Sequence, residues 1–336
     1  VLGFAGGLLH VVNHGIFKSL LFFGAGSVLQ ATGTRDIERL GGLARKMPWT
    51  AGTFLVAAAA ISGLPPLNGF VSEWLVYSGL FRGVFDFPLS GRLLHAAGIA
   101  ALAMIGGLAA ACFAKAFGVV FLGSARSEAT RGAHECGVPM RAAMGVLALA
   151  CAAIGLLPAT VAAGIALPVA ADLAGAGPAE AAAIAAPALA QLAVIGRAAL
   201  LVLAVAGGLA LLRRALLAGR EVATGATWGC GYGAPTPRMQ YTASSFADPL
   251  LRLSRRLLEP HVHDEPPEGY FPRAGRRETH TPDLAAERVY RPVVRAGARL
   301  FTSMRWMQQG RLQLYLLYIL VTVLALLLVQ LLGGDA

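Results

Sequence analysis

Five apolar runs set the terms on which this chain can fold: residues 2–30, 93–122, 140–157, 192–212 and 312–332. Each is close to the ~20 residues that carry a helix across hydrocarbon. A globular reading would need several unusually long buried helices, and the composition opposes it. The hydrophobic fraction is 56% and the charged fraction only 14%, with a mean hydropathy of +0.64, and the charges gather between the apolar runs rather than scattering. The chain therefore reads as an all-α, polytopic transmembrane helix bundle. Val1 already lies inside an apolar run, with no initiator Met and no cleavable signal pattern. The expectation is the C-terminal part of a longer protein.

A further run, residues 50–81, is interrupted by Ser62-Gly63-Leu64-Pro65-Pro66-Leu67-Asn68-Gly69. Pro65 and Pro66 remove two amide donors and disfavour helix just before them. Either two short spans meet in a tight turn, or one discontinuous span crosses. Charge placement separates the two. With one crossing, residues 31–49 (Arg35, Arg39, Arg45 and Lys46), residues 123–139 (Arg126 and Arg131) and residues 213–311, with 16 arginines, share a side. The other side keeps Arg82 and Arg92 in loops and the acids Asp172, Glu180 and Asp335. Two crossings would move the Arg35 to Lys46 loop across. The positive-inside rule favours one crossing, six spans in all, with the basic loops cytoplasmic.

A break at membrane depth survives only where protein or a hydrated cavity satisfies the freed backbone, and in transporters such breaks gather at ion pathways near the midplane. Just beyond this one stands Glu73, in Gly69-Phe70-Val71-Ser72-Glu73-Trp74. The bland alternative is a carboxylate at a helix N-terminus or at the interface. On the single-crossing topology Glu73 lies at membrane depth, which favours a functional role.

Only three lysines occur among the 28 basic residues, and two of them, Lys18 and Lys115, fall inside apolar runs. An ammonium in hydrocarbon costs a few kcal/mol at least (~2.5–3.5 by insertion scales). Lysine, unlike arginine, gives up its proton readily on burial, so the pattern points to proton movement. In His10-Val-Val-Asn13-His14-Gly-Ile-Phe-Lys18, steps of four put His10, His14 and Lys18 on one slowly drifting stripe, with Asn13 beside it. Imidazole titrates near neutrality, which suits a relay. A zinc-peptidase site is the competitor, but Val11 stands where its Glu is required. Lys18 lies too far from residues 3 and 30 to snorkel easily. Lys115 lies about two turns before Gly123, so snorkelling to the interface competes with a path role there. His95 suits an interfacial position. Arg197, close to the expected start of its helix at residue 192, is expected to reach headgroups.

No redox centre or cofactor site is visible. Cys112, Cys136, Cys151 and Cys230 are widely spaced, with no CxxC pair, and no Gly-rich nucleotide loop of the required pattern occurs. His261-Val-His263-Asp264 reads as a solvated loop rather than a metal site. The basic residues 213–311 hold 16 arginines against 9 acids. In a membrane protein that excess fits anionic lipid and docking partners rather than nucleic acid. Asp248-Pro-Leu-Leu-Arg-Leu-Ser-Arg-Arg-Leu-Leu-Glu259 reads as a short basic amphipathic helix, followed by an extended, mobile stretch to Arg277. The organisation expected is an antiporter-like core over residues 1–123 with its break at 62–69, further transmembrane helices over 124–212, a basic cytoplasmic loop over 213–311 and a last span over 312–336.

The run from His10 through Lys18 to Ser19-Leu-Leu-Phe22-Phe-Gly24-Ala-Gly26, with Gly41-Gly42-Leu43, Met47-Pro48 and Ser62-Gly-Leu-Pro65-Pro66-Leu-Asn-Gly69-Phe70-Val-Ser-Glu73, resembles the proton-antiporter-like subunits of respiratory complex I and Mrp antiporters. Three further runs are similar to the large membrane subunit of hydrogenase-4 and formate hydrogenlyase: Trp228-Gly-Cys230-Gly-Tyr232, Pro237-Arg-Met-Gln240-Tyr241-Thr-Ala-Ser-Ser-Phe246 and Gln309-Gly310-Arg311-Leu-Gln-Leu-Tyr315-Leu-Leu-Tyr318. The resemblance implies the second of two inverted repeats, the first of which, with its own Glu/Lys pair, lies outside this chain. It implies that Lys18 matches the central lysine, His10 and His14 its flanking histidines, Glu73 the terminal charged residue on the second broken helix and, more loosely, Lys115 a further basic position. It also implies an ion-translocating, non-redox subunit in a cell inner membrane. Its partners would be other membrane subunits, the missing N-terminal half and a peripheral hydrogenase or dehydrogenase module; a secondary Mrp-type antiporter is the alternative.

Overall fold

Helix α1 (Leu2–Thr32) runs unbroken for 31 residues, about 46 Å, and ends where Gly33 takes a left-handed conformation (φ 66°) and returns its N–H to Leu29 O. The computed structural model describes residues 1–220, 231, 233, 236–266, 269, 275–307 and 310–332. Trp228, Cys230, Tyr232, Gln309 and Asp335, singled out above, lie outside the described residues.

The interrupted run is two helices laid end to end. α2 (Pro48–Ile61) starts on Pro48, whose missing N–H costs nothing in a first turn, and α3 (Asn68–Asp86) follows the break. Both run antiparallel to α1, one after the other. Ser27 bonds Thr50 (Oγ to Oγ1, 3.0 Å), Phe54 covers Gly24, Asn13 meets Asn68, Gly6 lies against Val76 and Gly79 reaches Gly3. A hairpin would have set α2 beside α3; instead the pair forms one discontinuous crossing, as the charge pattern requires. α4 (Leu89–Phe121) returns along it, with His95 at Gly83, Leu80 at Gly98 and the Phe54 and Phe121 rings 5.2 Å apart.

A second discontinuous crossing was not foreseen. Residues 140–157 read as a complete span and residues 158–191 as its outer loop. In the structure a short α5 (Glu128–Arg131) precedes α6 (Val138–Leu156), whose Met144 accepts a hydrogen bond from Thr53 and whose Gly155 reaches only as far as Pro66 and Leu67. Beyond Leu157 the chain continues as α7 (Pro158–Val161), a π turn (Ala162–Ala166) and α8 (Leu167–Ala174). Ala162, Ala166 and Ala170 pack with Leu2, Ala5, Leu9, Val71 and Leu75. Apolar but too short to cross a membrane by itself, this half carries no span signal of its own in the sequence. α9 (Pro178–Leu217) is likewise longer than expected, 40 residues or about 60 Å, and packs its first half through Ala185, Ala188 and Leu192.

By length and composition five of the described helices can cross a membrane: α1, α4, α6, α9 and α13 (Leu312–Leu332). The chain divides into two units, Val1–Ala247 and Asp248–Ala336. At the end of the first, residues 237–244 strap the basic loops together. Gln240 exchanges two 2.9 Å bonds with the Ser124 backbone, Arg126 donates to the Leu40 and Tyr241 carbonyls, and Ser244 N donates to Glu38 at 2.6 Å. The expected helix over residues 248–259 is split at Ser254 into α10 (Ala243–Leu253) and α11 (Arg255–Leu258). In the second unit, Asp248 pairs with Arg252 at 2.7 Å. The expected loop at His261 is strand β1 (His261–Glu265), paired antiparallel with β2 (Arg276–His280); residues 267–268 and 270–274 of the stretch expected to be mobile lie outside the described residues. α12 (Arg291–Ser303) carries Arg291, Arg295 and Arg299 along one face and Val294 and Phe301 along another, an amphipathic helix that the sequence reading missed.

Candidate functional site

The break between α2 and α3 gathers buried polar groups. Asn13, Asn68 and Ser72 are each 0% exposed. Asn13 Nδ2 donates to Asn68 O at 2.8 Å and to Ser72 Oγ at 3.2 Å, and its Oδ1 accepts from Asn68 Nδ2 at 3.2 Å. Ser72 Oγ donates its one proton to Gly69 O at 2.9 Å. His10 Nδ1 lies 3.0 Å from that same oxygen, within hydrogen-bond reach. Asn68 Oδ1 stays unpaired and buried. Gly69 allows all this: its Cα lies directly against the Ala60 carbonyl, where any side chain would collide.

The imidazole stripe forms as the spacing requires. The rings of His10 and His14 are 6.0 Å apart, and Phe17 lies edge-on to both, at 6.2 and 5.3 Å. Lys18 follows, half-buried, beside Phe17, whose ring approaches Gly69. It forms no hydrogen bond or ion pair among the described residues. Glu73 is half-buried and turns toward the break, its carboxylate against Gly63, which is held at φ 64° and has no side chain to obstruct it. No ion pair joins Glu73 to Lys18 or the histidines among the described residues; the histidine stripe is tied to α3 by the His10–Ser72 bond, one residue from Glu73, beside the bonds of Asn13.

Lys115 stands deeper than its distance from Gly123 suggested. Phe121 packs on Phe54, so Lys115, six residues earlier and about 9 Å further along α4, is level with the end of α2. Half-buried there, it has no polar partner among the described residues. Arg197 is also misplaced by the sequence reading: it is the twentieth residue of α9, not one of the first. His95 stacks on Phe87 at 4.9 Å, near the turn between α3 and α4.

One ionisable residue escaped the sequence altogether. Glu135, just before α6, caps α2: Oε2 accepts from Trp49 N at 2.9 Å and Thr50 N at 3.3 Å, and Oε1 from the Thr50 hydroxyl and Cys136 N. Burial pushes its carboxyl up, but those hydrogen bonds outweigh it and hold the group below the usual carboxylate range. A contact across 86 positions leaves no local trace. Ser72, by contrast, lies inside the Gly69–Glu73 stretch already singled out, and Asn68 in the interruption just before it. Among the described residues no group of three or more His, Cys, Asp or Glu side chains is placed to hold a metal.

An unbroken helix carrying an imidazole stripe, laid along a discontinuous helix with a charged residue after its break, defines an antiporter-like membrane subunit. Residues 1–89 match the family described as NADH:quinone oxidoreductase/Mrp antiporter, transmembrane, and the chain belongs to that family. It is 34% identical to hydrogenase-4 component B of Escherichia coli K12 over 98% of its length, and spans 50% of that protein. It is 45% identical to formate hydrogenlyase subunit 3 of the same organism over 50% of its length, 28% of that protein. A chain of the membrane-bound sulfane sulfur reductase, an archaeal respiratory membrane complex, shares its fold, with a TM-score of 0.55 at 20% identity over 97% of this chain and 48% of that one. The protein is thus a multi-pass membrane protein, related to subunits of multi-subunit membrane complexes, and spans half or less of the length of these relatives.

Proposed function

We propose that this chain carries part of the proton path of a redox-driven membrane complex of the hydrogenase-4, formate hydrogenlyase or NADH:quinone oxidoreductase type. The path runs through Lys18, His14, His10 and Glu73, with Lys115 as a further station. The observation that supports it most is the His10–Ser72 hydrogen bond, which links the stripe on the continuous helix to the first turn after the break.

Along α1 the links are short enough for charge to matter. Positions four apart on α1 are separated by about 6 Å along the axis, and two unit charges at that distance interact by about 3 kcal/mol at an effective dielectric near 20. That is roughly a hundredfold in proton occupancy, so a proton leaving Lys18 favours its uptake on His14 and then on His10. Such groups titrate as a set, and a charge change on a partner subunit is felt along it. Electron transfer would take place on a peripheral hydrogenase or dehydrogenase module, since this chain offers no cluster or nucleotide motif of its own.

The test is proton pumping by the assembled complex in vesicles. Lys18→Ala and Glu73→Gln should each abolish it while assembly, followed by native gel, is unchanged. Wild-type pumping in both variants defeats the proposal. The Mrp-type alternative, a secondary cation/proton antiporter, predicts instead that the purified complex exchanges cations for protons without any redox module.

A further inference from the structure

Arg197 occupies a depth at which an arginine is costly. Its neighbour Gly196 packs against Leu156 and Pro158, and Gly155 packs against Pro66 and Leu67, so Arg197 is level with both helix breaks. Along α9 it is 16 residues from Arg213 and 17 from Glu180, about 24 and 26 Å of helix. With hydrocarbon about 30 Å thick, neither interface is within easy reach of its side chain from the level of the breaks. A charge left there in lipid costs about 2.5–3.5 kcal/mol even by the mildest scale.

Nor do the described residues supply a counter-ion. Arg197 is exposed and has no hydrogen bond or ion pair among the described residues. The bundle-facing side of α9 is its opposite one, where Ile195, Ala198, Ala199, Val202 and Leu203 line a cavity of about 270 Å³ with Pro65 and Pro66. At about 100° per residue, Ala186, Ala190, Ala204 and Gly208 fall within about 20° of Arg197, and all four are exposed. Small residues flanking a polar one are what lets a second membrane helix come close and bond to it.

We infer that this face of α9 docks a transmembrane helix of a neighbouring subunit, and that Arg197 pairs with an Asp or Glu carboxylate on that helix. A second copy of this chain presenting the same face would set arginine against arginine. Lipid phosphate does not lie at this depth. The protein's relatives are subunits of multi-subunit membrane complexes, and α7 and α8 stand between α9 and the stripe on α1, so the inference does not depend on the proton path.

The experiment places a photo-reactive amino acid at Ala193 or Ala204 in the complex purified from its own membranes, with Arg197 intact, and maps the adduct by mass spectrometry. The expected product joins this chain to another subunit, within an apolar stretch that contains Asp or Glu. Arg197→Gln should lower its yield about tenfold or more, as loss of one partner of a buried charge pair does, whereas Arg197→Lys keeps most of it. Adducts only with lipid, only with a second copy, or only within the same polypeptide overturn the inference, as does an unchanged yield in Arg197→Gln. Should Arg197→Gln fail to accumulate, the adduct mapped with Arg197 intact decides alone.

Discussion

The two discontinuous crossings use one backbone device to different ends. Between α2 and α3, residues 62–67 leave the helix altogether, and the space so opened is filled by Asn13, Asn68, Ser72 and the Glu73 carboxylate. Between α6 and α7 only Leu157 departs. Its N–H still reaches Ala153 O at 3.0 Å, its carbonyl takes Val161 N–H at 3.1 Å, and Gly155, Pro158 and Gly196 close around it without a titratable group. A break does not in itself mark a functional site. What marks one is the polar side chains that the freed backbone draws in.

The strongest way to break this contrast is to exchange function between the two. Removing charge at the first, by Glu73→Gln, should lower pumping at least about a hundredfold, the lower end of what a positioned proton-transfer group contributes. Pro158→Ala at the second should leave pumping within about twofold of wild type. Equal losses would make both breaks structural. Next in size is Asn13→Ala, which orphans Asn68 Nδ2 and removes a donor from Asn68 O and from Ser72; a buried group so orphaned costs about 1–3 kcal/mol. Urea or thermal unfolding of the purified complex should register the loss, while Cys151→Ala in the apolar α6 contact, with one small atom removed, should cost no more than about 1.5 kcal/mol.

Lys115→Ala refines the comparison further. Level with the end of α2 but without a bonded partner, Lys115 should contribute modestly, a loss of roughly fivefold in pumping or about 1 kcal/mol of barrier. Unchanged pumping would return it to an ordinary membrane lysine.

Much of the first break could be read from the sequence, and almost none of the second. Pro65-Pro66, the spacing of His10, His14 and Lys18, and the basic loops each leave a local signature, because periodicity, amide loss and charge are properties of neighbouring residues. The α7–α8 half is built of alanines whose burial depends on Leu2, Ala5 and Leu9 far away in sequence, and it is too short to signal a span of its own. Arg197 was misread because the alanine-rich start of α9 resembled a loop, which put the helix end at residue 192 rather than 178. The bond of Ser72 to His10 joins positions 62 apart, and nothing local announces it.

Glu135 joins the two crossings at their common end, holding the start of α2 from the residue pair that precedes α6, and it gives the smallest effect. Its carboxyl lies below the usual range because the hydrogen bonds from Thr50, Cys136 and Trp49 outweigh burial. A lowered folded value means stability that is fully present above the unfolded carboxylate value of about 4.3 and is lost as the pH falls through the folded one. Glu135→Gln should therefore cost about 1 kcal/mol or less at pH 7, the usual worth of a helix cap discounted for partial exposure. The gap to wild type should close as unfolding is measured at successively lower pH, below about 4. Pumping at neutral pH should stay within about twofold of wild type, since the cap positions α2 and passes no proton. A gap that does not change with pH would mean that the carboxylate is not what holds α2, and the two crossings would then be joined there through the Trp49–Arg141 and Thr53–Met144 bonds.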